Sequence, residues 1–452
     1  MPVYTNQGLV ITALRFLETK LQNIYKRPLG LTRKSIKFLA VSRKLLLVAP
    51  PVWVGSSKTS KGVAIVRFAS LYLMAAMTLC SSLSCAKHAV AQGGAATNLP
   101  QITSEFAPPL HTSGRWIVDT LGQRVKLKGI NWYGASDGYN VVGGLDKNSI
   151  KNIVTIIRDL GFNSVRLPFS NAMLHAESTA PETVAANPQF AGKAPITVFD
   201  AVVEELTAQG ILVILNNHTT SSAWCCGWDD NALWFNKELT TEQWMKDWEW
   251  LVERYRSNPL VIGADLRNEI RQGPQGNPNW GGGGQQDWQR AAQDLGNRLN
   301  KVNADILIIV EGLNYATDFS GVAAKPVRLT ASDKLIYSPH NYSWFAGTDP
   351  NKMTYESLKQ GLDKGWGFIG EGTAGFQTPI WISEFGAGPN ENPNWFNHFV
   401  RYVRENDLDW CIWPLNNGVR ADKSAVEEWG FVSGDWQRPI VDWRTSLLKT
   451  IQ

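Results

Sequence analysis

Two glutamates stand where short apolar runs of the sequence give way to polar residues. Glu269 ends the stretch Leu266-Arg267-Asn268-Glu269, and Glu384 lies within Ile382-Ser383-Glu384-Phe385-Gly386. Two carboxyl groups can cleave an acetal when one protonates the leaving oxygen and the other attacks the carbon, which requires a separation of ~5–5.5 Å. One must stay neutral and the other ionised, a difference that burial and a nearby cation can produce. A single glutamate at the end of an apolar run usually forms a structural ion pair, but the polar residues that accompany these two glutamates favour a catalytic role.

Polar and aromatic side chains end the other apolar runs in the same way. They are Asn131 and Trp132 after the first run, Arg166 in the second, His218 after the third, Glu311 after the fifth, His340 and Tyr342 after the sixth, and Trp413 after the eighth. Polar residues scattered at random would not fall at the end of each run. We therefore expect these side chains and the two glutamates to face one common site.

Eight short apolar runs alternate with amphipathic helical stretches along the chain. They are Val125–Ile130, Asn163–Leu167, Ile211–Leu215, Leu260–Leu266, Ile306–Val310, Leu335–Tyr337, Pro379–Ser383 and Trp410–Pro414. Apolar strands separated by helices indicate a parallel sheet covered on both faces. Eight such units in one domain favour a (β/α)8 TIM barrel of the α/β class, whose strand ends line the active site, over an open doubly wound sheet.

Local signals add detail to this barrel. Trp116–Val118, a turn at Asp119–Gly122 and the following Val125 predict an N-terminal hairpin that plugs the barrel floor. For the helix after the second strand, Thr197 is the predicted N-cap and Gly210 the stop. Thr240, with Gln243 three residues later, predicts a capping box at the start of another helix.

The first 91 residues differ from the rest of the chain. They hold thirteen of the 44 Lys and Arg residues but one of the 40 acidic residues, and they include a charge-free stretch from Phe68 to Leu83. A basic flank, this apolar segment and a small-residue site predict a secretory signal cleaved after Ala91, with translation starting near Val63. The alternative is an uncleaved signal anchor that tethers the protein, although sixteen residues fall short of the ~20 that span a bilayer. We expect residues 92–110 to be a flexible tail and residues 111–452 to be one catalytic domain.

The remaining composition excludes several functions. Residues 92–452 carry a net charge of −8, so we expect no nucleic-acid partner, because nucleic-acid binding needs a basic surface. No stable membrane insertion is expected after signal removal, and we expect a monomer. Three cysteines remain after cleavage: Cys225 and Cys226 can form a vicinal bridge, pair elsewhere or stay as thiols with Cys411. Cys-x-x-Cys and His-x-His pairs are absent from the sequence, so we predict no metal and no cofactor.

Residues 111–445 resemble glycoside hydrolase family 5, the family of many endoglucanases and mannanases. The motifs that carry the resemblance are Gly129-Ile130-Asn131-Trp132-Tyr133-Gly134, Val165-Arg166-Leu167-Pro168, Leu266-Arg267-Asn268-Glu269, His340-Asn341-Tyr342 and Ile382-Ser383-Glu384-Phe385-Gly386. The resemblance implies Glu269 as general acid/base and Glu384 as nucleophile. It implies that Asn268 binds the sugar 2-hydroxyl and that Arg166 and Tyr342 hold Glu384 ionised. It further implies that His218 and His340 complete the polar wall and that Trp413 lies under the sugar.

These observations predict a secreted retaining endo-1,4-β-glucanase that takes a polysaccharide or oligosaccharide substrate. A β-mannanase or a glycolipid-directed β-glycosidase of the same family is an alternative. A third reading is a carbohydrate-binding protein without catalysis, but a binding protein has no need of both Glu269 and Glu384. The tryptophans of the predicted loops, including Trp224, Trp280 and Trp344, are candidates for further sugar subsites.

Overall fold

A computed structural model describes residues 106–346, 349–373, 375–419 and 426–452. The predicted leader, its cleavage site after Ala91 and most of the predicted tail lie outside these residues. The end of that tail is described: Leu110 is buried, and its carbonyl accepts a hydrogen bond from Lys334 Nζ at 2.8 Å. Across the described residues, no helix combines the length and the apolar character needed to cross a membrane.

An antiparallel hairpin precedes the main sheet. Its strands are β1 (His111–Ser113) and β2 (Trp116–Val118), paired in the register Thr112↔Ile117. The predicted second arm is reduced to one bridge between Val118 and Arg124 and the hydrogen bond from Val125 N to Ile117 O. The hairpin thus forms mainly with residues before Trp116, because the chain after Arg124 turns into the barrel.

Eight parallel strands form the main sheet, as the apolar runs predict. They are β3 (Lys128–Asn131), β4 (Ser164–Ser170), β5 (Leu212–Thr219), β6 (Val261–Asp265), β7 (Leu307–Glu311), β8 (Leu335–Ser338), β10 (Trp381–Ile382) and β12 (Asp409–Ile412). Each of these strands pairs with the next except at the step from β8 to β10, and β12 pairs with β3, so the sheet curls into a barrel. The fold is a (β/α)8 TIM barrel.

The seam of the barrel lies between β8 and β10. One bridge, Tyr337↔Ile380, joins them at the lower end. Above it, β9 (His340–Asn341) and β11 (Glu384–Phe385) continue the two strands and pair with His340 opposite Glu384. A small antiparallel pair, β13 (Gly418–Val419) and β14 (Val426–Glu427), follows the last barrel strand.

Alternation along each strand builds the barrel interior in layers. Successive inward positions lie two residues apart, so one strand passes from an apolar floor to a polar mouth. On β7 the inward residues are Leu307, Ile309 and Glu311, and the first two belong to the apolar cluster at the floor. Ile117 and Val125 of the hairpin segment pack in the same cluster, which closes the barrel bottom as expected.

Helices cover the outside of the barrel. The helices are Ile150–Asp159, Asn171–His175, Pro195–Ala208, Thr241–Tyr255, Trp288–Val302, Tyr355–Leu362, Asn394–Glu405 and Trp443–Leu448, with single turns at Leu313–Ala316 and Phe368–Glu371. Thr240 and Gln243 form the predicted capping box. The predicted cap at Thr197 is wrong: the N-cap is Ala194, three residues earlier, because Pro195 occupies the first turn, where its missing N–H costs nothing.

Candidate active site

A cleft of about 410 Å³ opens at the carboxyl ends of the barrel strands. Six of the eight predicted site residues line it: His218, Asn268, Glu269, Tyr342, Glu384 and Trp413. The other two, Arg166 and His340, are fully buried directly beneath. The structure therefore brings all eight side chains to one place, in two layers.

Arg166 is the centre of the lower layer. It is the third residue of β4 rather than its last, so its side chain extends upward through the interior of the barrel. Burial acts to lower the pKa of the guanidinium, but the surrounding carboxylates outweigh this and raise it, so the group stays charged. Its acceptors are Asp265 Oδ2 at 2.7 Å, Asn131 Oδ1 at 3.0 Å, Glu384 Oε1 at 2.5 Å, Asn268 Oδ1 at 2.7 Å and Glu311 Oε1 at 2.9 Å.

Glu384 is held by donors on both carboxylate oxygens. Arg166 Nη1 donates to Oε1, and the Tyr342 hydroxyl donates to Oε2 at 2.9 Å. Burial and the negative charge of Glu384 raise the pKa of Tyr342 well above 10, so the phenol remains a donor. A cation and a permanent donor therefore fix both oxygens of this carboxyl group in place.

Glu269 has a different environment from Glu384. Its Oε1 lies 2.9 Å from His340 Nδ1, and its Oε2 faces the cleft, 3.9 Å from Cys225 Sγ. Its backbone adopts a left-handed conformation with φ of 46°, and its N–H donates to Glu311 Oε2 at 2.7 Å. No arginine or lysine ion pair to this carboxyl occurs among the described residues. One oxygen of Glu269 therefore faces a histidine, and the other faces the substrate space.

The two histidines of the site differ in charge. Burial acts to lower the pKa of His340, but Glu311 and Glu384 outweigh it and raise the pKa well above 6.5. Its Nδ1 lies 2.9 Å from Glu269 Oε1 and its Nε2 lies 2.9 Å from Ser383 Oγ, so both ring nitrogens have hydrogen-bond partners. For His218, burial and the nearby cations lower the pKa well below 6.5, so this ring is neutral.

Aromatic rings line the cleft. Trp413 stacks with His218 and with Tyr133, with centroid distances of 5.8 and 5.0 Å. The exposed Trp344 stacks on Tyr342 at 4.5 Å. Flat apolar rings of this kind pack against the C–H faces of sugar rings. The predicted subsite candidate Trp280 lies elsewhere, against the outward-facing Tyr337.

Cys225 and Cys226 form a vicinal disulfide in the cleft wall, which selects one of the open alternatives for the cysteines. Cys411 is a buried thiol in the barrel interior. The Asn268 side-chain nitrogen lies 3.4 Å from Cys225 Sγ and 3.6 Å from Cys226 Sγ. Sulfur is a weak acceptor, so these amide protons remain available to a stronger one, such as a sugar hydroxyl.

Two buried acids complete the lower layer: Glu311, which the sequence predicts at the site, and Asp265, which it does not. Asp265 and Glu311 are both fully buried and both bind Arg166. Burial and repulsion from Glu311 raise the pKa of Asp265 to about 7. Glu311 was recognisable as an acid that ends an apolar run, but its contact with Glu269 depends on how neighbouring strands align. Trp429 and Glu427, which also line the cleft, follow the last strand at no recognisable spacing.

Two groups of described side chains have the composition of a metal site, but one of them consists of Glu269 and the disulfide-bonded Cys225 and Cys226, which offer no thiolate. Oxygen and nitrogen atoms of Glu269, His340 and Glu384 lie within 4.8 Å of one another. A histidine ligand must be neutral and must offer a ring lone pair. The raised pKa of His340 favours a ring that donates from both nitrogens, so the three side chains suit a hydrogen-bond network better than a cation.

Comparisons with known proteins agree with this geometry. Residues 118–419 match the family described as "Cellulase (glycosyl hydrolase family 5)". The chain is 31% identical to an endoglucanase of Paenibacillus polymyxa over 364 residues, which cover 75% of this chain and 87% of that protein. It is 28% identical to the major extracellular endoglucanase of Xanthomonas campestris pv. campestris over 75% of this chain and 70% of that protein.

Solved structures show the same likeness. The catalytic domain of the Xanthomonas campestris enzyme superposes with a TM-score of 0.65 at 26% identity, covering 75% of this chain and 99% of that domain. An endocellulase of Pyrococcus horikoshii gives a TM-score of 0.66 over 76% of this chain and 98% of that chain, at 24% identity, a likeness of fold alone. The family match spans most of the barrel and includes every predicted site residue. The chain belongs to glycoside hydrolase family 5 and is a glycosidase that hydrolyses O-glycosyl bonds.

Proposed function

We propose that the protein is a secreted, retaining endo-1,4-β-glucanase in which Glu384 is the nucleophile and Glu269 the general acid/base. The observation that carries this proposal is the separation of the two carboxyl groups. An oxygen of Glu269 and an oxygen of Glu384 lie within 4.8 Å of each other. Retaining glycosidases need carboxyl groups ~5–5.5 Å apart, whereas inverting enzymes leave ~6.5–9.5 Å for a water molecule. The short gap favours double displacement.

The environment of each carboxyl group fits its role. Glu384 is bound by Arg166 and Tyr342, which stabilise the anion that must attack the anomeric carbon. Glu269 accepts a hydrogen bond from His340 on Oε1, which leaves Oε2 to carry the mobile proton toward the cleft. The orientation of both groups is set before substrate arrives, because their partners are buried and hydrogen-bonded.

The reaction follows in two steps. In the first, a Glu384 oxygen forms a bond to the anomeric carbon while Glu269 Oε2 gives its proton to the departing glycosidic oxygen. In the second, the Glu269 carboxylate takes a proton from water, whose oxygen attacks the same carbon and releases Glu384. Each step inverts the anomeric centre, so the product keeps the β configuration. The Asn268 amide is the donor for the sugar 2-hydroxyl, and Trp413 packs under the ring.

The substrate assignment rests on the relatives and on the shape of the cleft. The Paenibacillus polymyxa and Xanthomonas campestris relatives are both named endoglucanases. The cleft is open and is lined by several aromatic rings, an arrangement that suits a chain lying across the site. Residues 111–452 form the catalytic domain, and the protein acts as a monomer outside the cell after cleavage following Ala91.

The test is an activity assay on soluble cellulose derivatives, mannan and xylan, with proton NMR of the first product formed. We expect highest activity on the glucan and a β-anomer as the initial product. Glu384→Gln should lose nearly all activity, whereas Glu253→Gln, on an outer helix and paired with Arg256, should behave as wild type. An initial α-anomer, or equal activity in wild type and Glu384→Gln, contradicts the mechanism. Preference for mannan contradicts the substrate assignment alone.

Secretion is tested separately. Culture medium and cells of an expressing strain are separated, and the exported protein is sequenced from its N-terminus. We expect a sequence that begins at Gln92. Protein that stays with the membrane fraction and keeps residues before Ala91 contradicts cleavage and favours the signal anchor.

A further inference from the structure

Glu311 links the two halves of the proposed catalytic machinery. It is the last residue of β7, fully buried, and its carbonyl accepts a hydrogen bond from Trp288 Nε1 at 2.8 Å. Its two carboxylate oxygens have different partners. Oε1 accepts from Arg166 Nη2 at 2.9 Å and lies 3.4 Å from His340 Nε2, while Oε2 accepts from the Glu269 backbone N–H at 2.7 Å. The side chain therefore contacts the peptide that carries the general acid/base.

The Glu269 backbone needs such a contact. Its φ of 46° lies in the left-handed region, which residues with a side chain adopt rarely and only when their surroundings enforce it. This conformation turns the Glu269 side chain toward His340 and the cleft. The buried Glu311 oxygen that accepts a hydrogen bond from the Glu269 N–H is a strong, directional restraint on that peptide group. Glu311 is thus placed to fix the orientation of Glu269 through its main chain.

The ion pair with Arg166 does not account for this arrangement. Arg166 keeps four other acceptors, among them Asp265, which binds its Nε at 2.7 Å. Asp265 is an equally buried acid on the neighbouring strand, but its other contact is the Asn216 amide at 2.9 Å. Of these two acids, Glu311 alone contacts Glu269.

We infer that Glu311 is a positioning residue that orients the general acid/base by holding the Glu269 main chain. This inference rests on the proposed function, since it assigns the effect to proton donation by Glu269. A change at Glu311 should therefore slow reactions that need a proton on the leaving group. Reactions whose leaving group departs as a stable anion should be affected much less.

The test compares two substrates in one variant, Glu311→Gln. The glutamine side chain at this position has one oxygen, which will accept a hydrogen bond from the charged Arg166. Its NH2 group will then face the Glu269 N–H, and two donors cannot form a hydrogen bond with each other. We expect kcat/KM for cellotetraose to fall about 10²-fold, the loss typical of a catalytic group misplaced by roughly 1 Å. The value for 2,4-dinitrophenyl β-cellobioside should change several-fold at most. The ratio of the two values is independent of how much of the preparation is folded.

A second variant and a control complete the experiment. Glu311→Asp keeps the charge but withdraws it from the Glu269 N–H, and it should shift the ratio in the same direction. Asp409→Asn is the matched control, because Asp409 is a buried acid at the barrel floor that also accepts a backbone N–H, from Leu127 at 2.7 Å, and pairs with Arg124. It should lower the melting temperature and leave the substrate ratio unchanged.

The outcomes distinguish a failure of the Glu311 positioning role from a failure of the proposed function. Equal losses on both substrates in the Glu311 variants, or no loss on either, overturn the positioning role while the proposed function stands. If wild-type protein cleaves neither substrate, or if Glu384→Gln is as active as wild type, the proposed function itself fails. A shift of the ratio in the Asp409→Asn control also overturns the inference, since it shows that lost stability alone changes the ratio.

Discussion

Replacing Tyr342 with phenylalanine removes one hydroxyl group and little else. The phenol oxygen donates to Glu384 Oε2 at 2.9 Å, and the side chain is 5% exposed, so water has little access to replace it. The ring itself is held independently by stacking on Trp344 and by edge contact with Phe345. The variant therefore tests the hydrogen bond to the proposed nucleophile with minimal repacking.

The magnitude follows from the kind of bond that is lost. A hydrogen bond to a charged group contributes about 1.5–3 kcal/mol. Each 1.36 kcal/mol of transition-state stabilisation corresponds to a tenfold change in rate, so the loss in kcat/KM should be about 10- to 150-fold. If the hydroxyl also stabilises charge that develops near the sugar ring oxygen in the transition state, the fall should appear mainly in kcat.

The assay is steady-state kinetics on a defined cello-oligosaccharide, with Tyr337→Phe as the control. Tyr337 is a fully buried tyrosine whose oxygen accepts a hydrogen bond from the Val327 N–H at 2.9 Å, away from the cleft. That control should lose stability and keep kcat. A Tyr342→Phe variant with unchanged kcat would refute the view that donors on Glu384 prepare it for attack.

Three further predictions follow from other features. Thr240→Ala removes the hydroxyl that accepts a hydrogen bond from the Gln243 N–H in the capping box. It should lower the free energy of unfolding by about 1 kcal/mol in a denaturant titration, with kcat unchanged. The lowered pKa of His218 means that the unfolded chain binds a proton there more readily, so stability that is full above pH 6.5 is lost as the pH falls toward the folded-state pKa. Between pH 7 and about pH 5, the melting temperature should therefore fall more in wild type than in His218→Asn. Because the raised pKa of His340 favours a hydrogen-bond donor over a metal ligand, dialysis against EDTA should leave activity unchanged, and a loss restored by a divalent cation would contradict this prediction.

The barrel is readable from the sequence because each strand carries its own signal. Short apolar runs that end in polar residues identify all eight strands, since a buried parallel strand has to be apolar until it reaches the mouth. The helix start at Pro195 was harder to place, because a proline in the first turn and a capping threonine two residues later are both valid start signals.

The lower layer of the site, beneath the cleft, could not be predicted from the sequence in the same way. The sequence shows that Arg166 and Glu311 lie on different strands, but not that their side chains meet in one layer beneath the cleft. That meeting depends on the register between neighbouring strands, which the barrel sets as a whole. The same reason explains why Asp265 received no role: nothing in the local sequence separates it from an acid at an ordinary strand end.

Catalytic activity requires that the seam between β8 and β10 has closed, which is the last stage of barrel assembly. His340 and Glu384 are direct partners across it, while the lower part of the same seam is joined by the Tyr337↔Ile380 bridge. A refolding chain in which all eight strands have associated through seven pairings, but the seam is still open, has no working pair of acids. Recovered turnover is therefore a reporter of ring completion, and it should lag behind the return of secondary structure seen by circular dichroism.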